Sequence, residues 1–219
     1  YPKSTRSIIN GSRHYNLDGS NLPSVTTILK ATQSEEDKAG IAAWKERVGH
    51  KEAERIKNEA SNRGSSMHSY IEQFLLGKFN LDLLDEDNKS KKMAVEIIDN
   101  GLKNKLSEIW GTEATVYYPG KYAGTADCIC IYEGKETILD FKQSNKPKKQ
   151  EFILDYLLQG SAYSLAHNTV YNSRITQVAI LICTVDGLFQ DFKIEGNELI
   201  NFQNQFLEKV EQFYLQLKK

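Results

Sequence analysis

The chain has 219 residues, of which 40% are hydrophobic and 26% charged, a composition typical of a globular protein with a substantial core. Its length fits one domain, or one domain with a helical elaboration. The 28 basic and 29 acidic residues leave a net charge of −1, which excludes a global basic field, so nucleic-acid binding would require local basic patches.

The first part of the chain is predicted to be helical after an irregular start. Residues 1–23 are polar and rich in turn-forming residues, which indicates a loop. Ser24 follows this segment and can cap a short helix. A charged helical pattern then continues to Arg63-Gly64, where we expect a break. The predicted helices span residues 24–32, 35–62, 65–77 and 85–109.

The character of the sequence changes at Trp110, after which strand-type patterns predominate. The order βββαββα indicates an α/β fold, in which helices flank one mixed sheet. We expect an N-terminal loop and helical cap over residues 1–109, joined to this α/β core over residues 110–219 in one integrated domain. The predicted strands span residues 112–119, 122–133, 135–142, 174–185 and 187–194. The predicted helices of the core span residues 148–168 and 196–219.

Three cysteines lie within apolar, strand-like stretches of the core. Cys128 and Cys130 alternate on one strand, so their side chains share a face, and their spacing differs from that of a metal knuckle. Together with Cys183 they cannot supply the four thiolates of an iron–sulfur cluster. We therefore expect buried free thiols in a reducing compartment.

Two aspartates and a lysine occupy the strands on either side of the Glu133-Gly134 turn. If those two turn residues form the hairpin loop, the register places Asp127 directly opposite Asp140. Opposed residues hold their Cβ atoms about 4.5–5.5 Å apart. If the loop shifts by one residue, Asp127 faces Lys142 instead. In both registers the three charged side chains share one face, whereas a three-residue loop would break this parity.

Two opposed carboxylates repel each other, and partial burial increases the repulsion. A divalent cation is the simplest compensation, because Mg²⁺ binds carboxylate oxygens at about 2.0–2.1 Å and keeps several waters. Lys142 would then lie beside the metal, where an ammonium group can hold a water or stabilise a developing oxyanion. The alternative is a set of edge-strand charges neutralised by Lys142 and a nearby arginine.

The motifs of this hairpin are similar to those of a known group of nucleases. Gly124-x-x-Asp127, followed by Asp140-x-Lys142, resembles the core of the PD-(D/E)xK nuclease superfamily. Ala126 stands where the superfamily's name has proline, as is common in its RecB-type exonuclease branch. This departure concerns only the proline for which the superfamily is named, and it leaves the charged residues of the motif intact.

Three further segments extend the resemblance in the expected order. Gln159-x-x-x-Tyr163 resembles the QxxxY motif of the RecB-type branch, and residues 63–75 (RGSSMHSYIEQFL) resemble its upstream helix. Residues 22–29 (LPSVTTIL) resemble the N-terminal segment of the mitochondrial genome maintenance exonuclease family and its phage relatives. Together the matches extend over residues 23–163.

The resemblance implies roles for the charged residues. The implied reaction is phosphodiester hydrolysis with Mg²⁺ or Mn²⁺ as cofactor, in which Lys142 positions the attacking water or stabilises the pentavalent transition state. Glu113 corresponds to an acidic residue that the superfamily often carries on its first strand, although a solvent-facing charge explains it nearly as well. The implied metal ligands are His68, Asp127, Asp140 and the backbone carbonyl of Phe141.

Other polar residues are candidates for the surroundings of this site. Glu72 lies one helical turn from His68 and can orient that residue or a water, or can be an ordinary solvated charge. The candidates for DNA contacts also have ordinary explanations, as a helix border, a solvated charge run or a helix cap. These candidates are Gln159, Tyr163, Arg63, Lys146, Lys148, Lys149, Ser24 and Thr26.

We therefore expect a divalent-metal-dependent deoxyribonuclease, an exonuclease acting at free ends of single-stranded DNA. Threading of a strand through the helical cap is implied by the resemblance alone. The alternatives are an exonuclease that resects duplex ends, an endonuclease for flaps or junctions, and a non-catalytic DNA-binding protein with a relic nuclease fold. The intact Asp/Asp/Lys set argues against the last of these, and the near-neutral charge argues weakly against tight duplex binding.

The expected setting is DNA replication, repair or recombination, with a monomer working beside a recombinase, a helicase or a single-strand-binding protein. We find no membrane-spanning run and no signal peptide in the sequence. The expected location is the cytoplasm of a bacterial or phage-infected cell, or the mitochondrion if a targeting segment has been removed.

Overall fold

The computed structural model describes residues 1–17, 19–78 and 88–218. Its strands are β1 (Thr5–Ile9), β2 (Ser12–Leu17), β3 (Ser20–Pro23), β4 (Leu106–Tyr118), β5 (Tyr122–Tyr132), β6 (Lys135–Ser144), β7 (Gln177–Thr184) and β8 (Phe189–Glu195). Its α-helices are α1 (Val25–Ala31), α2 (Glu35–Val48), α3 (His50–Leu75), α4 (Lys89–Ile97), α5 (Leu154–Tyr171) and α6 (Gly196–Gln216). A π-helical turn (Ile98–Leu102) follows α4, and a 3₁₀ turn (Gln150–Phe152) precedes α5. Within these described ranges, no helix has the length and apolar character needed to cross a membrane.

A five-stranded mixed sheet in the order β4-β5-β6-β7-β8 organises the fold. β6 and β7 pair in parallel, and the other recorded pairs of this sheet are antiparallel. The parallel pair requires a crossover connection, which α5 supplies. The predicted α/β class and the βββαββα order of the second half are confirmed.

Helices cover both faces of this sheet. On one face, α1, α5 and α6 enclose an apolar core that includes Ile129, Ile138 and Phe206. On the other face, α3, α4 and the π-helical turn enclose a second core that includes Met67 and Leu139. All of β7 is buried, as expected for a strand covered on both faces. The cysteines are buried free thiols, as predicted.

The β5–β6 hairpin has the register predicted from its turn. Tyr132 pairs with Lys135, and the ladder continues to Cys128 opposite Leu139. Glu133 has φ 49° and the following glycine has φ 78°, the two positive values that a two-residue type I′ turn requires. The Glu133-Gly134 loop is therefore confirmed.

The prediction of an irregular N-terminal segment is wrong. β1, β2 and β3 form a second, three-stranded antiparallel sheet within the described residues, and β1 and β2 meet at Asn10-Gly11. These turn residues have φ 51° and φ 74°, so the connection is another hairpin of the Asn-Gly kind. Asp18, which belongs to the segment predicted as a loop, lies outside the described residues.

The helix predicted after Ser24 is confirmed, because the Ser24 side chain accepts a hydrogen bond from the Thr27 backbone N–H. The break predicted at Arg63-Gly64 is wrong, since α3 continues through both residues. The chain breaks instead at Gly49, whose φ of 87° suits glycine. Arg63 Nε donates to the Gln143 side chain at 2.9 Å. This contact joins α3 to β6 at the residue that precedes Gly64.

The helix predicted over residues 85–109 is only partly correct. Residues 85–87 lie outside the described residues, and α4 and the π-helical turn occupy 89–102. From Leu106 the chain is a strand, and Leu106 pairs with Tyr132 on β5. Register shifts before Glu108 and Gly111 disturb the alternation of this strand, so its sequence lacks a strand period.

Candidate active site

The candidate active site lies where β5 and β6 separate. The recorded pairing ends at Cys128 opposite Leu139, one residue before the two aspartates. At this point the backbone N–H of Phe141 donates to Asp127 Oδ2 at 2.8 Å, in place of a ladder bond. Ala126 and Cys128 are alternate residues and would normally face the same side of the sheet, yet they pack in opposite cores. The alternation of side chains along β5 therefore shifts by one residue at Asp127, which we call the phase change. The separation opens a cleft of about 500 Å³ to which Asp127 is exposed.

Glu113 joins Asp127 from the neighbouring strand. The pairs Thr112–Cys128 and Ala114–Ala126 on either side of it place Glu113 opposite Asp127. Glu113 has φ 45°, an uncommon backbone conformation for a residue with a side chain. Such conformations concentrate at functional sites, because the surrounding structure must stabilise them.

His68 reaches the two carboxylates from α3 on the other side of the cleft. Its Nε2 lies 2.7 Å from the carbonyl oxygen of Phe141, and because a carbonyl can only accept, Nε2 carries a proton. Its Nδ1 lies 3.6 Å from Asp127 Oδ1 and 4.0 Å from Glu113 Oε1. The ligand-type atoms of these three side chains lie within 4.8 Å of one another.

Asp140 and Lys142 form a buried ion pair beside this cluster. The Asp140 side chain is 1% exposed, and its Oδ2 contacts the Lys142 ammonium. Burial raises the pKa of Asp140 to about 6, even though Lys142 opposes the rise. Burial alone would lower the pKa of Lys142, but the carboxylates of Asp140 and Asp127 outweigh it and raise that pKa above its ordinary value. Lys142 is therefore a cation at neutral pH.

Helix α5 braces this pair through its first turns. Gln159 Nε2 lies 3.3 Å from Asp140 Oδ1 and donates to the Tyr163 hydroxyl at 3.0 Å. Tyr163 lies over Gly124, where a larger residue would force a shift because its Cβ would approach Tyr163 Cε1 to 2.3 Å. The glycine of the motif thus permits the aromatic ring, and the ring supports the amide that contacts Asp140.

The donor set at this cleft fits a hard divalent cation. Carboxylate oxygens with one imidazole nitrogen are ligands that Mg²⁺ and Mn²⁺ accept. Burial, reinforced by repulsion from Asp127, raises the pKa of Glu113, so its charge is poorly compensated by the protein alone. A cation between these residues would relieve that repulsion. Among the described residues, the three-residue cluster contains His68, Glu113 and Asp127, whereas Asp140 contacts Lys142 and Gln159.

The other predicted residues are distributed over three places. Ser24, Thr26, Glu72, Gln159 and Tyr163 line the cleft. Arg63 lines a different depression on α3, and its guanidinium contacts Gln143 and Asn145. Lys146 and Lys149 are exposed and Lys148 is half-buried, and none of the three lines the cleft.

The N-terminal sheet contributes residues that sequence reasoning missed. Arg6, Arg13 and Tyr15 line the cleft together with Thr125 of β5. The Arg6 guanidinium donates to the Thr125 hydroxyl at 2.8 Å, and the Tyr15 hydroxyl lies 3.0 Å from the same atom. The signal that could have located them is Asn10-Gly11 between two strand-like runs.

Glu113→Gln should stabilise the metal-free protein. The raised pKa means that ionised Glu113 costs folding free energy at neutral pH, and that this cost disappears when the group is protonated in acid. We expect a higher melting temperature at pH 7 in EDTA, equivalent to less than about 1 kcal/mol, because the Glu113 side chain is 38% exposed and solvent screens its charge. The gain in melting temperature should be smaller at pH 4 than at pH 7. Mn²⁺ should stabilise this variant less than it stabilises the wild-type protein. Calorimetric melting at both pH values checks this.

Glu108→Gln is the matched control, because Glu108 is an exposed carboxylate on the same strand. It should change neither the melting temperature nor the response to Mn²⁺. An equal stabilisation in both variants would show that net charge, rather than crowding at the cleft, is responsible.

The chain is similar in sequence to curated exonucleases. It is 30% identical over 174 residues to mitochondrial genome maintenance exonuclease 1 of Homo sapiens, covering 76% of this chain and 50% of the human protein. It is 26% identical over 214 residues to the Xenopus tropicalis protein of that name, covering 92% of this chain and 60% of the relative. The chain thus spans between half and three fifths of the length of these relatives. It resembles the exonucleases of this kind, as its motifs predicted.

No model of a protein family matches the chain. The crystal structure of a phage-related exonuclease from Haemophilus somnus aligns with 69% of this chain and 81% of its own, with a TM-score of 0.39 and 14% identity.

Proposed function

We propose that this chain, like the exonucleases it resembles, is a metal-dependent nuclease, and that it hydrolyses DNA from free single-stranded ends. The observation that carries the proposal is the cluster of His68, Glu113 and Asp127 in an open cleft beside the Asp140–Lys142 pair. An acidic metal-ligating set next to a buried lysine suits the hydrolysis of a phosphodiester, which needs both charge neutralisation and an activated water.

The metal would be held by the carboxylates of Asp127 and Glu113 and by Nδ1 of His68. A divalent cation bound there supplies Lewis acidity, lowering the pKa of a water and neutralising the charge of the scissile phosphate. The hydrogen bond from His68 Nε2 to the Phe141 carbonyl leaves Nδ1 directed at the carboxylates. That carbonyl has a second lone pair, so we retain it as a candidate ligand, together with Asp140.

Lys142 would act as a fixed cation rather than as a base. Its ammonium contacts Asp140 and lies 5.2 Å from the centre of the Tyr156 ring, so both neighbours favour the protonated form. Lys142 also lines the cleft, where it can donate to the attacking water and stabilise the negative charge on the pentavalent phosphate. Asp140 holds the ammonium, and Gln159 in turn contacts Asp140.

A single strand with a free end is the substrate that we propose. Arg6 and Arg13 line the cleft beside the carboxylates, where two cations can contact a phosphate backbone. α2 has no buried residue and can move or contact a ligand without disturbing a core. Work beside a recombinase, a helicase or a single-strand-binding protein in replication, repair or recombination belongs to the same proposal.

Digestion of end-labelled DNA tests the proposed function. Linear single strands, circular single strands and linear duplexes are incubated with Mg²⁺, Mn²⁺ or EDTA. We expect only the linear single strand to be degraded, and EDTA or Asp127→Asn to abolish its loss. Asp99→Asn is the matched control, because Asp99 lies on the π-helical turn, outside the cleft, and pairs with Lys103.

The other outcomes distinguish the alternatives. Cleavage of the circle would identify an endonuclease, and degradation of the duplex alone would identify an end-resecting enzyme. Retained DNA binding without cleavage of any substrate would identify a non-catalytic binding protein.

A further inference from the structure

A second cleft of about 460 Å³ adjoins the candidate active site. It lies between the β1–β2 hairpin and α1, and its lining includes Ile8, Gly11 and Lys30. Arg13 and Thr26 line both this cleft and the candidate active site. The two clefts therefore adjoin at these two residues, and we refer to them together as the groove.

The charge of the groove changes along its length. Carboxylates line the active-site end, but no acidic residue lines the second cleft as far as the described residues show. Arg13 and Lys30 are exposed there, and no side-chain hydrogen bond or ion pair to either is recorded within residues 1–17, 19–78 and 88–218. Two cations without an acidic neighbour are free to contact an anionic ligand.

The walls of the second cleft are held together by hydrogen bonds. The backbone carbonyl of Arg13 accepts from the Ser24 N–H at 3.0 Å and from the Thr27 hydroxyl at 2.9 Å. These bonds fix the hairpin against α1, so the cleft exists before a ligand arrives and little ordering is needed on binding. Ile8, which is 70% exposed, adds an apolar surface at the same cleft.

We propose that this second cleft binds the single-stranded DNA that continues from the scissile phosphate. Arg13 and Lys30 contact successive phosphates, and Thr26 lines the cleft beside them. Ile8 lies against a base and makes no sequence-specific contact. The inference rests on the proposed function and deepens it, because it joins Thr26, a candidate from the sequence, to Arg13, Lys30 and Ile8, which no motif of the sequence predicted.

Salt dependence of binding tests the groove without turnover. A labelled oligothymidylate is titrated with protein in EDTA over a range of salt concentrations. The slope of log K against log salt is negative, and each lost phosphate contact should decrease its magnitude by about 0.7 for a single strand. We expect this decrease for Lys30→Gln and for Arg13→Gln, and about twice that decrease when the two are combined. With Mg²⁺, Lys30→Gln should raise KM for long substrates while kcat is retained, because Lys30 lines the second cleft and not the candidate active site.

Lys57→Gln is the charge-matched control, because Lys57 is exposed on α3 and lines neither cleft. It should leave the slope unchanged. Melting temperatures verify folding, and Lys30→Glu supplies a second variant at the same position that should weaken binding further. Unchanged slopes in Lys30→Gln, Lys30→Glu and Arg13→Gln would refute the groove, even if the wild-type protein degrades DNA. If the wild-type protein cleaves nothing but these slopes decrease in magnitude, the groove is supported and the nuclease proposal fails.

Discussion

Replacing Lys142 by methionine is expected to reduce DNA hydrolysis by roughly 100- to 1,000-fold, the loss typical for removal of one group that stabilises transition-state charge. Methionine keeps much of the apolar stem of the side chain but removes the ammonium that lies against Asp140 in the cleft. Since Lys142 is not in the metal-ligating cluster, Mn²⁺ binding should persist. Single-turnover digestion and Mn²⁺ titration measure the two effects separately.

The same substitution should also destabilise the fold, because it leaves Asp140 buried without its cation. Breaking a buried pair typically costs about 3–5 kcal/mol. The double variant Asp140→Asn with Lys142→Met removes both charges and should recover much of the stability without recovering hydrolysis. Hydrolysis at the wild-type rate in either protein would show that Lys142 has no part in the reaction.

The β5–β6 hairpin could be predicted from sequence because its determinants are local. The Glu133-Gly134 turn fixes the loop length, and the alternation of the flanking strands fixes the faces. The phase change at Asp127 could not be predicted, because it depends on contacts with both cores. As a result, Asp127 accepts from the Phe141 N–H and lies near His68, while Asp140 contacts Lys142.

The parts of the site that sequence reasoning missed depend on distant contacts. Arg6 reaches the cleft through a hydrogen bond to Thr125, which is 119 positions away. Glu113 has a left-handed backbone that no local pattern encodes, since glutamate has no preference for it. α3 continues through Gly64 despite the low helix propensity of glycine, and Gln143 of β6 contacts Arg63 and the Ala60 carbonyl beside it. The Asn10-Gly11 hairpin is different, because its signal was present in the sequence.

Gly124→Ala is expected to impair both stability and catalysis. The backbone of Gly124 needs no left-handed conformation, so the effect is steric: a Cβ would lie 2.3 Å from Tyr163 Cε1 and 3.0 Å from its Cζ. Overpacking of this kind typically costs about 1–3 kcal/mol. Because Tyr163 accepts from Gln159, and Gln159 contacts Asp140, a displaced ring should also disturb the position of the Asp140–Lys142 pair. We expect a lower melting temperature and a lower kcat.

Two other glycines separate these effects. Gly160→Ala places a Cβ 2.3 Å from Val178 Cγ1, in the contact between α5 and β7, and should reduce stability with a smaller effect on kcat per folded molecule. Gly40→Ala has open space in α2 and should be neutral or slightly stabilising.

In the Gly124→Ala protein, Tyr163→Leu removes the ring and should restore stability but not kcat. The effects of the two substitutions on the melting temperature should therefore be strongly non-additive. Equal loss of kcat in Gly160→Ala and Gly124→Ala would mean that α5 affects the reaction only through general stability, and that Tyr163 has no specific part in positioning Asp140.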